Sequence, residues 1–435
     1  MTTEGRQSKA RLVVALIFLA ALARFAILFM WTPHPPDMSG FYMSGWLYAH
    51  GLYDLIYATP DYFFGGTPPD WMEPLEQVGL YGNEVLPYVY APLWAAVLSP
   101  IAGATDPLTF FRVFDVVLVG LMVASVFVAW RLARRWAIPL WGWTALSTVA
   151  LATSVTAYIA LAQLQPQIVV AFLCLVAFER YGAGKPVAAG ICLAFAAALK
   201  LTPAGLALIF LLDRNWRALG AFAVVGLLLA GLSLIIAGPD LHFAYLDSLM
   251  AAGQGIHITA VTYNIEVLLQ AISSALGFTP AFDPWQRGIR LLETPFLMTV
   301  VSKALLLAAL VWMVRATAAL PSDKRLVARL FLLSMLLALF GPLGWAHYYL
   351  LPLFLLPSLI GLLPVRLAGW TIAAFLVVAS WPVMLGVALT IPGDFARAAI
   401  GTLTMLTLFA ITAAGCARQG QTRSNATVAD TLAAA

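Results

Sequence analysis

The sequence is poor in charge and in cysteine. Only 10% of its 435 residues are charged and 62% are hydrophobic, whereas soluble globular domains carry about 25% charged residues. This composition excludes a soluble protein. The three cysteines, Cys174, Cys192 and Cys416, lie in or at the end of apolar segments, so we expect no disulfide framework and no Cys-x-x-Cys metal site.

Motifs for nucleotides and for common hydrolytic centres are absent as well. The sequence contains no Walker loop, no Gly-rich dinucleotide turn, no Gly-x-Ser-x-Gly and no His-Glu-x-x-His. No pair of its five histidines has metal-ligand spacing with a carboxylate. We therefore expect no cofactor and no metal. The net charge of +4 comes from loops between apolar segments, which indicates membrane topology and not nucleic-acid binding.

Apolar segments of helical length recur along nearly the whole chain. Because about 20 apolar residues cross a bilayer as a helix, they predict an all-α polytopic membrane protein with one domain, residues 1–417. The first segment continues beyond Arg24, so we interpret it as a retained helix and not a signal peptide. The predicted spans, about twelve, are 12–31, 108–130, 140–162, 166–178, 187–198, 203–212, 218–237, 295–314, 326–340, 350–363, 368–388 and 395–414.

The basic residues orient this bundle in the plasma (inner) membrane. Lys and Arg concentrate on cytoplasmic loops, which places both termini inside and makes the small, polar segment 418–435 a predicted disordered cytoplasmic tail. Cations at membrane depth usually face a wet cavity and an anion, so those left on the outer half predict a charged site there. They are Arg24, Arg112, Lys200, Arg287, Arg290, Lys303 and Arg397.

Two long loops, about 32–107 and 238–294, lie on the same outer side. The first is expected to hold interfacial helices at 39–49 and 88–102, and the second a short helix near 264–276. Three middle spans are shorter than a bilayer crossing, so we expect a cavity above them that opens outward. Its expected lining is Gln163, Gln165, Gln167, Lys200 and Thr202.

Three residues are candidates for chemistry at that cavity. Asp37 follows the first span in a Pro-rich turn and could act as a general base or simply cap the next helix. Lys200 could bind an anion, or extend its ammonium to the interface. His347 could bind a phosphate or sugar oxygen, or belong to an aromatic belt with Trp345.

Other polar residues also allow two interpretations. Arg24 lies roughly 10 Å along the helix from Trp31, near the depth of lipid phosphates, and could equally pair with Asp115. Asn264 and Glu266 precede the second outer helix and could be caps or sugar contacts. Each signal is weak alone, but all of them fall on one side of the membrane.

Taken together, these segments resemble the GT-C membrane glycosyltransferases, and more narrowly glycosyltransferase family 87. The resemblance covers residue 10 to about 360. It departs from the family pattern where Ala162 replaces a Gly, Gln165 an Asn, Ile265 a Gln, Glu266 a Ser and Tyr348 a second His. The residues that carry it are Lys200-Leu-Thr-Pro203 and Pro342-Leu-Gly-Trp345-Ala-His347 above all, then Asp37, Tyr88-Val-Tyr90-Ala-Pro92-Leu, the Gln163 segment, Gly190 and Asn264.

The resemblance implies an inverting glycosyltransferase of GT-C type. It implies transfer of a sugar, expected to be mannose, from a polyprenyl-phosphate donor to a hydroxyl of a lipid-linked or glycan acceptor, on the periplasmic or extracellular face among membrane lipids. Asp37 would be the general base, and Lys200, His347 and Arg24 would bind the donor phosphate. The implied substrate-binding residues are Gln163, Asn264, Glu266, Tyr88, Tyr90 and Trp345.

Two other classes stay open on the residues alone. A transporter or flippase of a lipid-linked or anionic substrate would also place charges in an outer cavity, but would be expected to show broken helices in both halves. An accessory protein without turnover would tolerate Asp37→Asn.

Overall fold

A computed structural model describes the backbone of residues 3–60, 66–136, 138–253, 255–280, 283–285 and 290–434. Side chains are described in the same ranges except at residues 3–8, 290, 291, 293 and 421–434. This part of the chain is almost entirely helical, with one two-stranded sheet, which confirms the all-α prediction for it.

The first third of the chain alternates long helices with short ones. Proline opens three of these helices, a position where its missing N–H removes no helical hydrogen bond. Short 3-10 helices lie at Tyr53–Leu55 and Pro69–Trp71. The helices are α1 (Thr3–Phe29), α2 (Pro36–Ala49), α3 (Met72–Gln77), α4 (Pro92–Ala102) and α5 (Pro107–Ala133).

The middle third contains the shortest predicted spans and the longest helix but one. A 3-10 helix, Thr202–Ala207, separates two of its α-helices. The α-helices are α6 (Leu140–Thr153), α7 (Val155–Ala162), α8 (Gln167–Gly182), α9 (Pro186–Leu199), α10 (Leu208–Leu212) and α11 (Trp216–Ala252).

The last third begins with a small antiparallel sheet in which Gly255 pairs with Glu293. Further 3-10 helices lie at Ala346–Tyr349 and Leu356–Ser358. The elements are β1 (Gly255–Ile258), α12 (Ile265–Ala275), β2 (Arg290–Glu293), α13 (Phe296–Thr317), α14 (Ser322–Leu339), α15 (Leu350–Leu355), α16 (Leu359–Leu362), α17 (Val365–Val378), α18 (Trp381–Thr390) and α19 (Phe395–Ala434).

Helix α2 is enclosed by protein. All of its residues from Met38 to Leu47 are buried, although its aromatic residues led us to expect it at the headgroup level. It packs against α4 at Gly45, where an added Cβ would lie 3.0 Å from the Cβ of Ala102. At Gly40 the approach is closer, because an added Cβ would lie 2.3 Å from the carbonyl oxygen of Leu86. The start of α2, which carries Asp37, is therefore held on two sides.

Two predicted spans are each broken into two helices. The breaks fall at Ser154, between α6 and α7, and at Ser380, between α17 and α18. These two residues form a β-bridge, and the N–H of Val155 donates to the carbonyl of Ala379 at 3.0 Å. Each serine also caps the helix that follows it. The breaks thus satisfy one another's backbone groups, as an apolar environment requires.

Helix length indicates fewer crossings than the sequence did. Among the described residues, five helices are long and apolar enough to cross a membrane, and α7 with α8 makes six if this pair, bent by 118°, counts as one span. The other apolar helices have 10–17 residues, fewer than the ~20 that a bilayer needs. The chain is a helical membrane protein, and its twelve predicted spans are not confirmed.

Helix α11 continues beyond the predicted span 218–237. It kinks at Gly238, whose φ of 75° and ψ of 164° are not helical, and Pro239 then restarts the helix as far as Ala252. The backbone of 239–252, which lies in the predicted outer loop, is therefore helical. Helix α19 likewise runs into 418–435, whose predicted disorder stays a prediction because the side chains from 421 onward lie outside the described residues.

Candidate active site

Asp37 lies in the first turn of α2 but does not cap it. The capping position is Pro35, and no side chain caps the helix. The carboxylate oxygen Oδ2 of Asp37 accepts a hydrogen bond from the Nε2 amide of Gln165. The backbone N–H of Asp37 donates to Oε1 of Gln163 at 3.4 Å. Asp37 is thus bound at both ends by the turn between α7 and α8.

That turn has an unusual backbone. Leu164 is fully buried and has a φ of 47°, a left-handed conformation that few residues other than glycine adopt. The N–H of Gln165 donates to the carbonyl of Ala160 at 2.8 Å, which closes the turn. This turn places the side chains of Gln163 and Gln165 next to Asp37. Strained conformations of this kind are often found at functional sites.

Lys200 lies just after the end of α9, where the backbone becomes extended. Its ammonium Nζ lies 3.8 Å from the centroid of the Tyr348 ring and 5.9 Å from that of Tyr90, within the range of cation–π attraction. The hydroxyl of Tyr90 donates to Oε1 of Gln165 at 3.4 Å. Tyr90 and Gln165 therefore link Lys200 to Asp37.

Burial shifts both charged groups toward neutral pH. It raises the pKa of Asp37 to about 6, although the charge of Lys200 and the Gln165 hydrogen bond oppose the shift. Glu84 adds a smaller increase. Burial lowers the pKa of Lys200 to about 7, opposed by the charge of Asp37. Neither residue lies in a helix long enough to cross a membrane. A carboxyl group with such a pKa is well suited to accept a proton near pH 7.

His347 lies in the 3-10 helix Ala346–Tyr349 and is buried. Neither of its ring nitrogens has a hydrogen-bond partner in the described part of the protein. Its ring packs against that of Tyr348, with the centroids 4.8 Å apart. Burial and the charge of Lys200 hold its pKa well below its usual range. Buried polar groups almost always have a partner, so this neutral imidazole is available to a ligand.

A cavity of about 390 Å³ opens beside Lys200. Its polar lining includes Lys200, Thr202 and the tyrosines at 90, 245 and 348. A charged end with apolar walls suits an amphiphile that has an anionic head and a hydrocarbon chain. Most of the remaining wall is apolar: Leu249, Leu306, Leu336, Leu337, Phe340, Pro342 and Leu343.

Three predicted substrate-binding residues have partners within the protein. Asn264 caps α12 by accepting from the N–H of Glu266 at 2.8 Å, and its amide donates to the carbonyl of Gly341. Glu266 accepts from the hydroxyl of Ser302 at 3.1 Å. The hydroxyl of Tyr88 donates to the carbonyl of Ala91 at 2.9 Å. Their hydrogen bonds support the scaffold around the cavity.

Trp345 and the predicted outer cations are placed differently. Trp345 forms a β-bridge with Thr262, and its ring centroid lies 5.6 Å from that of His347. Arg24 is exposed on α1 and forms no ion pair within 4 Å among the described residues, so the suggested pair with Asp115 is not seen. Arg112 and Lys303 are exposed as well.

Of the last three outer cations, Arg397 is the one whose side chain is described, and it contacts Asp394 and not Asp37. Arg397 pairs with Asp394 at 2.5 Å. Arg287 and the side chain of Arg290 lie outside the described residues. Among the outer cations whose side chains are described, Lys200 is the one that influences the pKa of Asp37.

Sequence reasoning missed the roles of Gln165 and Tyr348. Gln165 was expected in the cavity lining but had no assigned role, although it holds the carboxylate of Asp37. Tyr348 had no predicted role at the site, although its ring lies against the ammonium of Lys200. An aromatic residue next to a buried histidine, opposite a lysine far away in sequence, gives no local signal of that contact.

Comparison with known proteins identifies the family. The chain matches the model of Glycosyltransferase family 87 over residues 88–339, more than half of its length. The chain belongs to glycosyltransferase family 87. It is therefore a glycosyltransferase, and the resemblance seen in the sequence is confirmed. Lys200 lies inside the matched range, whereas Asp37 and His347 lie outside it.

Two relatives in this comparison are mycobacterial mannosyltransferases. The chain is 26% identical over 377 residues to the polyprenol-phosphate-mannose-dependent alpha-(1-2)-phosphatidylinositol pentamannoside mannosyltransferase of Mycolicibacterium smegmatis, covering 83% of this chain and 79% of that one. It is 28% identical over 312 residues to the polyprenol-phosphate-mannose-dependent alpha-(1-2)-phosphatidylinositol mannoside mannosyltransferase of Mycobacterium tuberculosis, covering 67% and 66% respectively.

Proposed function

We propose that this protein transfers mannose from a polyprenyl-phosphate donor to a hydroxyl of a lipid-linked or glycan acceptor, with inversion at the anomeric carbon. The observation that carries the proposal is the pair of half-buried, opposite charges, Asp37 and Lys200, of which Lys200 lines an apolar-walled cavity. The names of the relatives supply the donor and suggest a phosphatidylinositol mannoside as one acceptor class.

Asp37 is the general base in this proposal. Its carboxylate takes the proton of the acceptor hydroxyl while that oxygen attacks the anomeric carbon. With a pKa of about 6, the carboxyl group is mostly ionised at neutral pH and still basic enough to accept the proton. The amide of Gln165 holds Oδ2, which leaves Oδ1 for the acceptor.

Lys200 and His347 assist the leaving group. As the bond between the anomeric carbon and the phosphate oxygen breaks, the departing polyprenyl phosphate gains negative charge. An ammonium partly removed from water, as that of Lys200 is, stabilises such charge more strongly than an ammonium in water does. The unpartnered imidazole of His347 can donate a hydrogen bond to the same phosphate. Tyr348 holds Lys200 in place through its ring.

The apolar side of the cavity takes the polyprenyl chain. Leu249, Leu306 and Phe340 line it next to Lys200, so a phosphate at the ammonium would place the first isoprene units against these side chains. Gln163, Tyr90 and Trp345 are the proposed sugar contacts. Arg24, exposed on α1, would meet the phosphate of a lipid that approaches from the bilayer. Asn264, Glu266 and Tyr88 would contribute indirectly, since their hydrogen bonds hold the backbone around the cavity in place.

Sidedness is proposed from the charge distribution. By the positive-inside rule, both termini would lie in the cytoplasm and the cavity beside Lys200 on the periplasmic or extracellular side of the plasma (inner) membrane. The short apolar helices of 10–17 residues would complete about twelve crossings as helix pairs or partial spans around the cavity.

A transfer assay tests the proposal. The purified full-length chain in detergent is given radiolabelled polyprenyl-phosphate mannose, arabinose or glucose, or GDP-mannose, together with a membrane lipid extract that contains phosphatidylinositol mannosides. We expect labelled product from polyprenyl-phosphate mannose alone. Equal labelling from GDP-mannose, or none from any polyprenyl donor, would refute the donor class.

The transporter alternative is tested in the same preparation after reconstitution into vesicles. The helix breaks at Ser154 and Ser380 are similar to the broken helices of transporters, but neither residue lines the cavity beside Lys200. Movement of intact donor across the vesicle membrane without a new glycosidic bond would favour a flippase over the proposed transferase.

A further inference from the structure

A second cavity, of about 290 Å³, lies where the ends of α5 and α8 meet the turn after α10 and the start of α14. We call it the arginine cavity. Its charged lining consists of Arg131, Arg134, Arg135 and Arg325 with Glu179, Asp213 and Asp323. The proposed transfer reaction uses none of these residues.

The arginine cavity is remote from Asp37. Helix α5 begins beside α2, because the hydroxyl of Tyr42 donates to the carbonyl of Thr105 at 2.9 Å, just before α5 starts. Its 27 residues extend for about 40 Å at 1.5 Å per residue, and Arg131 lies in its last turn. Helix α8 likewise starts next to Gln165 and ends at the arginine cavity. The two cavities therefore occupy opposite ends of the bundle.

Two of the acids in the arginine cavity are already neutralised. Glu179 accepts from Arg131 at 2.8 Å and also pairs with Arg180. Asp213 pairs with Arg329 at 2.7 Å and accepts from the hydroxyl of Tyr181 at 3.1 Å. These ion pairs neutralise the negative charge of Glu179 and Asp213. The two carboxylates therefore do not neutralise the remaining arginines of the cavity.

Three arginines are left without an acidic partner. Arg134, Arg135 and Arg325 have no carboxylate within 4 Å among the described residues, and Asp323 is the one lining acid without a cation at that distance. The lining is therefore positively charged. The positive-inside rule accounts for arginines on this side of the membrane. It does not require them to surround a cavity.

The position of the arginine cavity relative to the bilayer and its volume indicate which class of ligand it can bind. Helix α5 is long and apolar enough to cross the bilayer, so its last turn lies at the headgroup level. Basic pockets between helices at that level bind anionic headgroups, and arginine matches the geometry of phosphate oxygens. With about 30 Å³ for one water, the cavity has room for a phosphate and its glycerol. We infer that the arginine cavity binds the phosphate of an anionic phospholipid from the adjacent leaflet.

Native mass spectrometry of the full-length protein tests this inference. The protein is equilibrated in micelles with equal amounts of phosphatidylglycerol and phosphatidylcholine, and retained lipids are counted. The test variant is Arg134→Gln/Arg135→Gln, both exposed residues, and a second variant is Arg325→Gln. The matched control is Arg217→Gln/Arg366→Gln, which removes the same charge from exposed arginines outside the cavity.

We expect the wild type and the control to retain phosphatidylglycerol in preference to phosphatidylcholine. The test variant should bind it about thirtyfold more weakly, since each arginine near a membrane surface contributes about fivefold, and Arg325→Gln should bind it about fivefold more weakly. Retention unchanged in both cavity variants, or lost equally in the control, would overturn the inference. Displacement by glycerol 3-phosphate at the same concentration would overturn it too, since the ligand would then be a soluble phosphate.

Discussion

The two ends of the helix bundle use charge in opposite ways. At one end, Asp37 and Lys200 are half-buried, and neither has an ion-pair partner within 4 Å among the described residues. At the other end, Glu179 and Asp213 contact arginines directly, and the unpaired Arg134 and Arg135 are exposed. A buried charge without a direct partner costs free energy, so a protein keeps it mainly where it binds or reacts. Direct ion pairs instead connect helices.

Helix α9 shows the same contrast within one element. Lys185 occupies its N-terminal capping position and is exposed, whereas Lys200 follows its last turn and is half-buried beside the rings of Tyr90 and Tyr348. The two side chains are chemically identical. Burial lowers the pKa of Lys200 to about 7.

The largest effect is expected at the carboxylate. Asp37→Asn keeps the size of the side chain but removes the base, so transfer should fall about 10²–10⁴-fold while expression and thermal stability are kept. The matched control is Asp70→Asn, at an exposed acid of the same predicted loop. The measurement is initial rate with radiolabelled polyprenyl-phosphate mannose. If Asp37→Asn has the same rate as the control, Asp37 is not the general base, and the proposed difference between the two ends of the bundle is wrong.

The next effect is expected at the ammonium. Lys200→Met keeps a long side chain but removes the charge that meets the leaving phosphate, so kcat should fall about 10²–10³-fold. Lys185→Met, at the opposite end of α9, should keep wild-type turnover. Comparable losses in the two variants would mean that α9 needs lysine for its fold and not for the reaction.

A pH profile sharpens the comparison. The reaction needs Asp37 ionised, which requires a pH above about 6, and Lys200 protonated, which requires a pH below about 7. We expect kcat/KM to peak between these values and to fall about tenfold per pH unit on either side. In Lys200→Met the alkaline limb should vanish and the acid limb should move to higher pH, because the cation that lowers the pKa of Asp37 is gone.

If the acid limb of the kcat/KM profile stays at the same pH in Lys200→Met, Lys200 does not lower the pKa of Asp37 and the prediction is wrong. Asp213→Asn serves as the control at the other end, and neither limb should move in it. Profiles are measured from pH 5 to 9 in one buffer mixture at constant ionic strength.

A smaller effect is expected at the aromatic partner of Lys200. Tyr348→Leu removes a ring that lies 3.8 Å from the ammonium, and kcat/KM should fall about 3–30-fold, as expected for a cation–π contact of 0.5–2 kcal/mol. Tyr348→Phe keeps the ring and should retain most of the activity. If Tyr348→Phe lowers kcat/KM as much as Tyr348→Leu does, the hydroxyl of Tyr348 and not its ring is needed for activity.

The smallest effect on activity is expected at the paired end. Asp213→Asn leaves the guanidinium of Arg329 without its carboxylate, which should cost about 1–3 kcal/mol of stability and lower the midpoint of thermal unfolding in detergent. Turnover per mole of folded protein should stay within about twofold. A large loss of turnover at full stability would show that this end takes part in the reaction.

Much of the fold could be predicted because apolar length and proline position are local signals. The helices predicted at 39–49, 88–102 and 108–130 are present as α2, α4 and α5, although each begins at a proline one to four residues from its predicted start. The breaks at Ser154 and Ser380 could not be predicted in this way. Each break is stabilised by the other across more than 200 residues, and no local pattern records that contact.

The candidate site likewise has a part that could be predicted from the sequence and a part that could not. Lys200 and His347 were predicted because polar residues in apolar surroundings are conspicuous, and Asp37 because it follows the first span in a Pro-rich turn. Whether they share one site depends on the turn at Gln165 and on the ring of Tyr348, which only the folded chain brings together. Other polar residues look equally conspicuous in sequence, yet Arg24 is exposed and Asn264 caps a helix.

The most direct test is a structure of the full-length protein with a short polyprenyl phosphate bound. We expect the phosphate within hydrogen-bond distance of the Lys200 ammonium and the His347 ring, with the first isoprene units along Leu249, Leu306 and Phe340 and the free phosphate oxygen facing Asp37. A phosphate bound elsewhere, with Lys200 and Asp37 still packed as they are without ligand, would contradict the proposed active site.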